Sequence, residues 1–142
     1  MGFRVKIEAN ETIELGLEAV QSVTFITDTP NDSNARSTDL GMSMLIKGKI
    51  LASIGGAAAD ATLKLPKWAL VPAEDLNSYG KVVVEVLSGS KVVREITMDC
   101  AYVVDYTEVF GDTTGVGTFS LLVRQKKDLN TNVAYKGGFA AE

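Results

Sequence analysis

Asp105 and Glu108 form the carboxylate pair most suggestive of acid–base chemistry, and Asp28, Asp32 and Asp39 the group most suggestive of a cation loop. Two carboxylates support hydrolysis when one delivers a proton while the other activates water, so they must converge on one point. Both sit among strand-forming residues, where positions an odd number apart project to opposite faces. The pair therefore reads as the polar rim of a strand. The three aspartates lack the alternating ligand spacing and closing glutamate of a calcium loop. The chain has no histidine, which removes Ser-His-Asp and Cys-His systems and nearly all zinc and non-haem iron sites. Gly111–Gly117 is glycine-rich, yet no Lys-Ser or Lys-Thr follows it and it lies between two strand-like runs, so it is no phosphate loop. Cys100, the single cysteine, falls in an apolar run and reads as a buried structural thiol, not a nucleophile. The residues point to no catalytic group, no metal and no cofactor. An enzyme working through carboxylates alone stays open as an alternative.

Size and composition narrow the classes further. A chain of 142 residues, 46% hydrophobic and 23% charged, has the size of one domain with its own core and is expected to form a single domain over 1–142. A net charge of −4 argues against nucleic acid, because phosphate binding needs clustered Lys and Arg. Only Lys126-Lys127 is a basic pair, placed at a strand end. No apolar run has the length to cross a bilayer, and MGFRVKIEANE carries charge where a signal peptide is apolar. Met1-Gly2 opens a myristoylation pattern, but Lys6 stands where that motif needs Ser or Thr. One cysteine permits no intrachain disulfide, which fits assembly in the cytoplasm.

Patterning sets the elements. Phe3–Glu8 alternates apolar and polar residues, a half-buried strand with Phe3, Val5 and Ile7 inward. Leu17–Thr27 reads as a second strand with Val23 and Phe25 on one face. A helix over Glu11–Val20 competes, since Ile13, Leu17 and Val20 recur at helical spacing; the β-rich surroundings favour strand. Thr27–Gly41 is polar and long, a functional or mobile loop. Met42–Ser53 is a strand with Met42, Met44, Ile46 and Ile50 on one face and Lys47 and Lys49 opposite. Ala57–Leu70 is the one helix candidate, with Asp60 as a possible cap; Pro66 requires it to be short, kinked, or begun late. Trp68 and Leu70 are expected to pack on the sheet. Pro72–Asp75 has the composition of a single helical turn. Tyr79–Leu87 and Lys91–Asp105 are strands joined by Ser88-Gly89-Ser90. Leu129–Tyr135 is a last short strand, and Gly137-Gly138 opens a tail of little structure. The expectation is a mainly β chain of seven or eight strands, an antiparallel sandwich or barrel of two packed sheets with one flanking α-helix.

The chain is organised around Ala101–Asp128, AYVVDYTEVFGDTTGVGTFSLLVRQKKD. Two β-forming runs, Tyr102–Phe110 and Val116–Gln125, flank a Gly-Asp-Thr-Thr-Gly turn. Phe119, Leu121 and Val123 share one face of the second run; Thr118, Ser120 and Arg124 share the other, where Leu122 is the apolar exception. A strand with something to cover on both sides implies self-association, and one heterologous contact repeated about an axis closes a ring. Leu122 is the candidate interface residue. A small-molecule-binding barrel, monomeric and with an apolar cavity, is the other open reading.

The segment VVDYTEVFGDTTGVGTFSLLVRQKKD resembles the closing hairpin of the tail-tube superfamily: phage tail-tube proteins and the Hcp-type tube proteins of type VI secretion and contractile injection systems. The order of elements from Phe3 to Tyr135 is similar along most of the chain. The resemblance implies a β-barrel of two packed sheets with a flanking helix, joined into hexameric rings that stack into a hollow tube. It implies no catalytic residues. It implies copies of itself as the main partner, with sheath, baseplate or spike proteins as further ones, in a phage-like particle or released through the apparatus. In the resembling family the region equivalent to Thr27–Gly41 reaches towards the next ring, making Asp28, Asn31, Asp32, Arg36 and Asp39 candidate inter-ring residues.

Overall fold

Strict alternation at the start of the chain becomes a strand. β1 (Gly2–Glu8) buries Val5 and Ile7 and half-buries Phe3. The structure, a computed structural model, describes residues 1–9, 11–28, 41–50, 61–72, 74–112, 117–126 and 134–140. After β1 come β2 (Thr12–Leu15), β3 (Val20–Asp28), β4 (Gly41–Ile50), a 3-10 turn at Ala61–Leu63 running into α1 (Lys64–Ala69), and a second 3-10 turn at Leu76–Ser78. β5 (Tyr79–Ser88), β6 (Lys91–Val109), β7 (Gly117–Gln125), β8 (Ala134–Lys136) and β9 (Phe139–Ala140) complete the described elements.

All pairings are antiparallel, in the order β2-β1-β5-β6-β7-β4-β3, with β8 and β9 also paired to β6. The two layers are halves of this one ladder. It folds over until β1 and β3, which share no ladder, approach within 8 Å between Cα atoms. Ile7, Val82, Val84 and Met98 from one half then meet Met44, Ile46, Leu121 and Val123 from the other in a single core.

β6 makes that folding possible. It is 19 residues long and carries β5 on one edge from Lys91 to Tyr102. β9, β8 and β7 follow one another along its other edge. The register skips a β6 residue at Val93, at Asp99–Cys100 and at Val104. Each skip is a bulge, which bends a strand and increases its twist, so β6 passes from one layer into the other. At the crossing, the fully buried Gln125 accepts a hydrogen bond from the Cys100 backbone N–H through Oε1 at 3.1 Å. The Lys126 N–H donates to the Cys100 carbonyl at 2.9 Å.

The bulge at Asp99–Cys100 also corrects the expectation for Cys100. Met98 and Ala101 are both buried, so the residues between them turn outward, and Cys100 is half-buried instead of fully buried. We expect a maleimide to label it in the native protein without denaturant, and Cys100→Ala to cost no more than about 1 kcal/mol. Labelling that begins only on unfolding would contradict this placement.

Three further expectations change. Ile13 and Leu15 are buried at the spacing of a strand, β2, and the chain then turns through Gly16–Ala19, which leaves Leu17 exposed. The helix is short and begins late, at Lys64, with Pro66 in its first turn as the sequence required, where a missing N–H breaks no helical bond. Leu65 and Trp68 lie on its buried stripe, whereas Leu70, two positions beyond Trp68, falls on the far side and is 81% exposed. The tail expected to be irregular forms β9 against Val92. Asp60, Ala57 and Leu129 lie outside the described residues.

Candidate assembly surfaces

Cross-strand register places side chains on faces, because residues directly opposite in an antiparallel ladder point the same way. On the outer face of the second layer, Leu45 of β4 stands opposite Leu122 of β7, which stands opposite Asp105 of β6. Both leucines are half-buried on the face turned away from the core, and Ser43 beside them is buried. Thr24 continues the row on β3. The adjacent row runs Ile26, Ser43, Arg124, Tyr102, with Arg124 Nε donating to Ser43 Oγ at 3.2 Å. Val104, the bulge residue, is 45% exposed, and Ile26 38%. Leu122 is thus part of an apolar patch with Leu45, Ile26 and Val104. The sequence singled out Leu122 alone because its neighbours come from three other strands.

At one end of this layer the β6–β7 hairpin carries Val109 and Phe110, 60% and 67% exposed. The Phe110 ring lies over Gly117, where an added Cβ would come within 2.7 Å of it. At the other end lies a groove of about 330 Å³ lined by Trp68, Val71, Tyr79, Tyr102 and Val103. Three separate elements hold it together. α1 supplies Trp68, whose indole N–H donates to the Ser78 carbonyl at 3.1 Å. β5 and β6 supply Tyr79 and Tyr102, opposite each other with rings edge-to-face at 6.0 Å. Lys126 Nζ sits 5.6 Å over the Tyr79 ring. Leu70 and Leu76, 81% and 87% exposed, neighbour the groove in sequence.

The outer face of the first layer is different in kind. Arg4, Lys6, Glu8, Glu14, Lys81, Glu85 and Glu95 line a broad concavity of about 850 Å³. Arg4 and Glu85 pair at 3.2 Å, and Lys6 and Glu8 at 3.4 Å. Exposed pairs of this kind contribute little. Leu15, Val83 and Phe139 share the lining with these charges, so the concavity is mixed in character.

The residues singled out for chemistry do not converge. Asp105 stands opposite Leu122 on the outer face; Glu108 stands opposite buried Phe119 on the inner one and accepts a hydrogen bond from the Tyr106 hydroxyl at 2.6 Å. Among the described residues no group of three or more His, Cys, Asp or Glu side chains could hold a metal ion. None of the described helices is long and apolar enough to cross a membrane. Asp28 ends β3 opposite Gly41. Asn31, Asp32, Arg36 and Asp39 lie outside the described residues.

No protein-family model and no curated protein matches the chain. Solved structures do. Hcp1 from Flavobacterium johnsoniae is 18% identical with a TM-score of 0.60, and the likeness covers 100% of both chains. A chain of the anti-feeding prophage baseplate, in a six-fold symmetrised reconstruction, is 14% identical with a TM-score of 0.55, over 96% of this chain and 93% of that one. A chain of the PVC sheath–tube complex, an extracellular contractile injection system in its extended state, is 10% identical with a TM-score of 0.54, over 96% and 89%. The fold is therefore that of the tail-tube and Hcp-type proteins.

Proposed function

We propose, from a chain that carries the tail-tube and Hcp-type fold from end to end, that this protein is one folded domain over 1–142 and the subunit of a ring-built tube. The likeness to Hcp1 over the full length of both chains carries the reading. Six subunits per ring are proposed, supported by the six-fold symmetrised assembly in which one neighbour occurs. Rings stack into the hollow inner tube of a contractile injection or secretion apparatus, or of a phage tail. Sheath, baseplate or spike proteins are its further partners, as the neighbouring assemblies suggest. The protein assembles from the cytoplasm and has no reaction of its own. The apolar patch around Leu122 and Leu45 is the contact that closes the ring, because a half-buried leucine pair on an outer sheet face gains most from a neighbour's cover.

The test is solution mass together with negative-stain imaging. Rings and short tubes support the reading; a subunit that stays monomeric at high concentration overturns it. The segment Thr27–Gly41 gives a separate check. Its acids Asp28, Asp32 and Asp39, with Asn31 and the cation Arg36, are proposed to contact the next ring. Replacing Asn31–Ser37 by a Gly-Ser linker is expected to leave ring mass unchanged and to shorten or abolish filaments. Unchanged filaments, or loss of the rings, would remove this segment from the stacking contact.

A further inference from the structure

We propose that the Phe110 tip of one subunit seats in the Trp68–Tyr79–Tyr102 groove of a second copy in the next ring. The inference rests on the ring-and-tube reading and names a contact within it. Tip and groove sit on the same strand, since Tyr102 and Val103 line the groove and β6 runs on to Val109 beside Phe110. At about 3.3 Å per strand residue, Val103 and Phe110 are separated by roughly 20 Å. A subunit cannot fill its own groove with its own tip. Two different patches at opposite ends of one layer make a heterologous contact, which repeats along a line unless a rotation closes it. The leucine patch lies on the face of this layer and serves the lateral contact, which leaves the two ends for stacking.

Chemistry supports the second copy as the occupant. The groove is aromatic and open, with room for one ring and a small aliphatic side chain, and Phe110 with Val109 presents such a pair. Glu108 and Asp112 flank the tip, while Lys126, over Tyr79, stands beside the groove. Glu74 and Asp75 lie in the turn between Val71 and Leu76, so the acidic tip enters with its carboxylates on the Lys126 side. The edge of β6 beyond Tyr102, which β5 has left, carries no ladder among the described residues. An uncovered edge next to an apolar groove is the kind of surface a β-protein has to protect.

The experiment uses two variants of the full chain. Phe110→Asp removes the tip, and Ala69→Trp fills the groove from the helix wall, which Ala69 of α1 also lines. Each alone is expected to give rings of wild-type mass with at least a tenfold smaller fraction in stacks. Preformed rings of the two, mixed in equal amounts, retain one intact groove and one intact tip between them. They are expected to form double rings at twice the ring mass and nothing longer. Phe110→Leu should restore long stacks, and Leu76→Asp, at a residue exposed enough not to disturb folding, should weaken them. Stacks that persist in Phe110→Asp overturn the proposal, as do rings that dissociate in it or wild-type rings that never stack. A wild-type protein that remains at subunit mass instead overturns the tube reading.

Discussion

Leu122→Asp is expected to reduce the assembled protein to its 15.1 kDa subunit while the subunit stays folded. Leu122 is half-buried on an outer face, so its loss opens no cavity in the core. In the assembly the same side chain and its cross-strand partner Leu45 would be covered. Removing one buried leucine from an interface costs about 2–3 kcal/mol, and a carboxylate left dry in its place adds more. At 1.4 kcal/mol per factor of ten, each contact weakens by roughly a hundredfold or more. Because a ring needs every contact, dissociation should be complete at micromolar concentration. One complication is local. Asp105 stands opposite Leu122, and like charges directly opposite across strands destabilise by up to about 1 kcal/mol. Leu122→Lys separates the effects, since a lysine there faces Asp105 favourably and still places a charge in the interface. Both variants should lose the ring by light scattering, and only the aspartate variant should melt measurably lower. Ring mass unchanged in Leu122→Lys would move the lateral contact to another face.

Much of the architecture could be read from local pattern. The alternation in β1, the apolar face of β4, the Ser88-Gly89-Ser90 turn and the β6–β7 hairpin all follow from residues whose preference and burial agree. Elements went astray where two periods compete or where register slips. Ile13, Leu17 and Val20 fit a helix by spacing, but Ile13 and Leu15 are the pair that is buried, and Gly16 breaks the run after them. Lys91–Asp105 and Tyr102–Phe110 read as overlapping strands and prove to be one, since no breaker stands between them. Its bulges send Cys100 and Val104 outward, and a bulge leaves little trace in sequence because it is set by the partner strands. The assembly surfaces were legible only in part for the same reason. Leu122 stands out within its own strand, but Leu45, Ile26 and Val104 join it only through register. The groove gathers Trp68, Tyr79 and Tyr102 from elements that share no local pattern.

Gly48→Ala is expected to destabilise the subunit by about 3 kcal/mol, the upper range for forcing atoms into a packed site. Gly48 is buried near the end of β4, opposite Val20 on one side and Phe119 on the other. A Cβ there would overlap the Ala19 carbonyl oxygen and come within 2.8 Å of the Phe119 ring. The Ala19 carbonyl cannot rotate away. It accepts the Lys49 N–H at 2.7 Å, and Ala19 is tied back through its own N–H to the Gly16 carbonyl at 3.1 Å. Relief requires the whole Gly16–Val20 turn to lift from β4, loosening the start of β3 and unpacking Ala19 and Val20, both buried. Gly89→Ala is the control. Gly89 has φ of +61° and nothing within 4 Å of an added Cβ, so the alanine meets only the backbone penalty of the left-handed region, about 1 kcal/mol. For a chain of this length each kcal/mol moves the melting temperature by roughly 3–4 °C. The expected drops are therefore about 10 °C for Gly48→Ala and about 3–4 °C for Gly89→Ala. Equal drops would mean that β3 does not enter the sheet against Gly48, and the closure of the layered core at that edge would need to be redrawn.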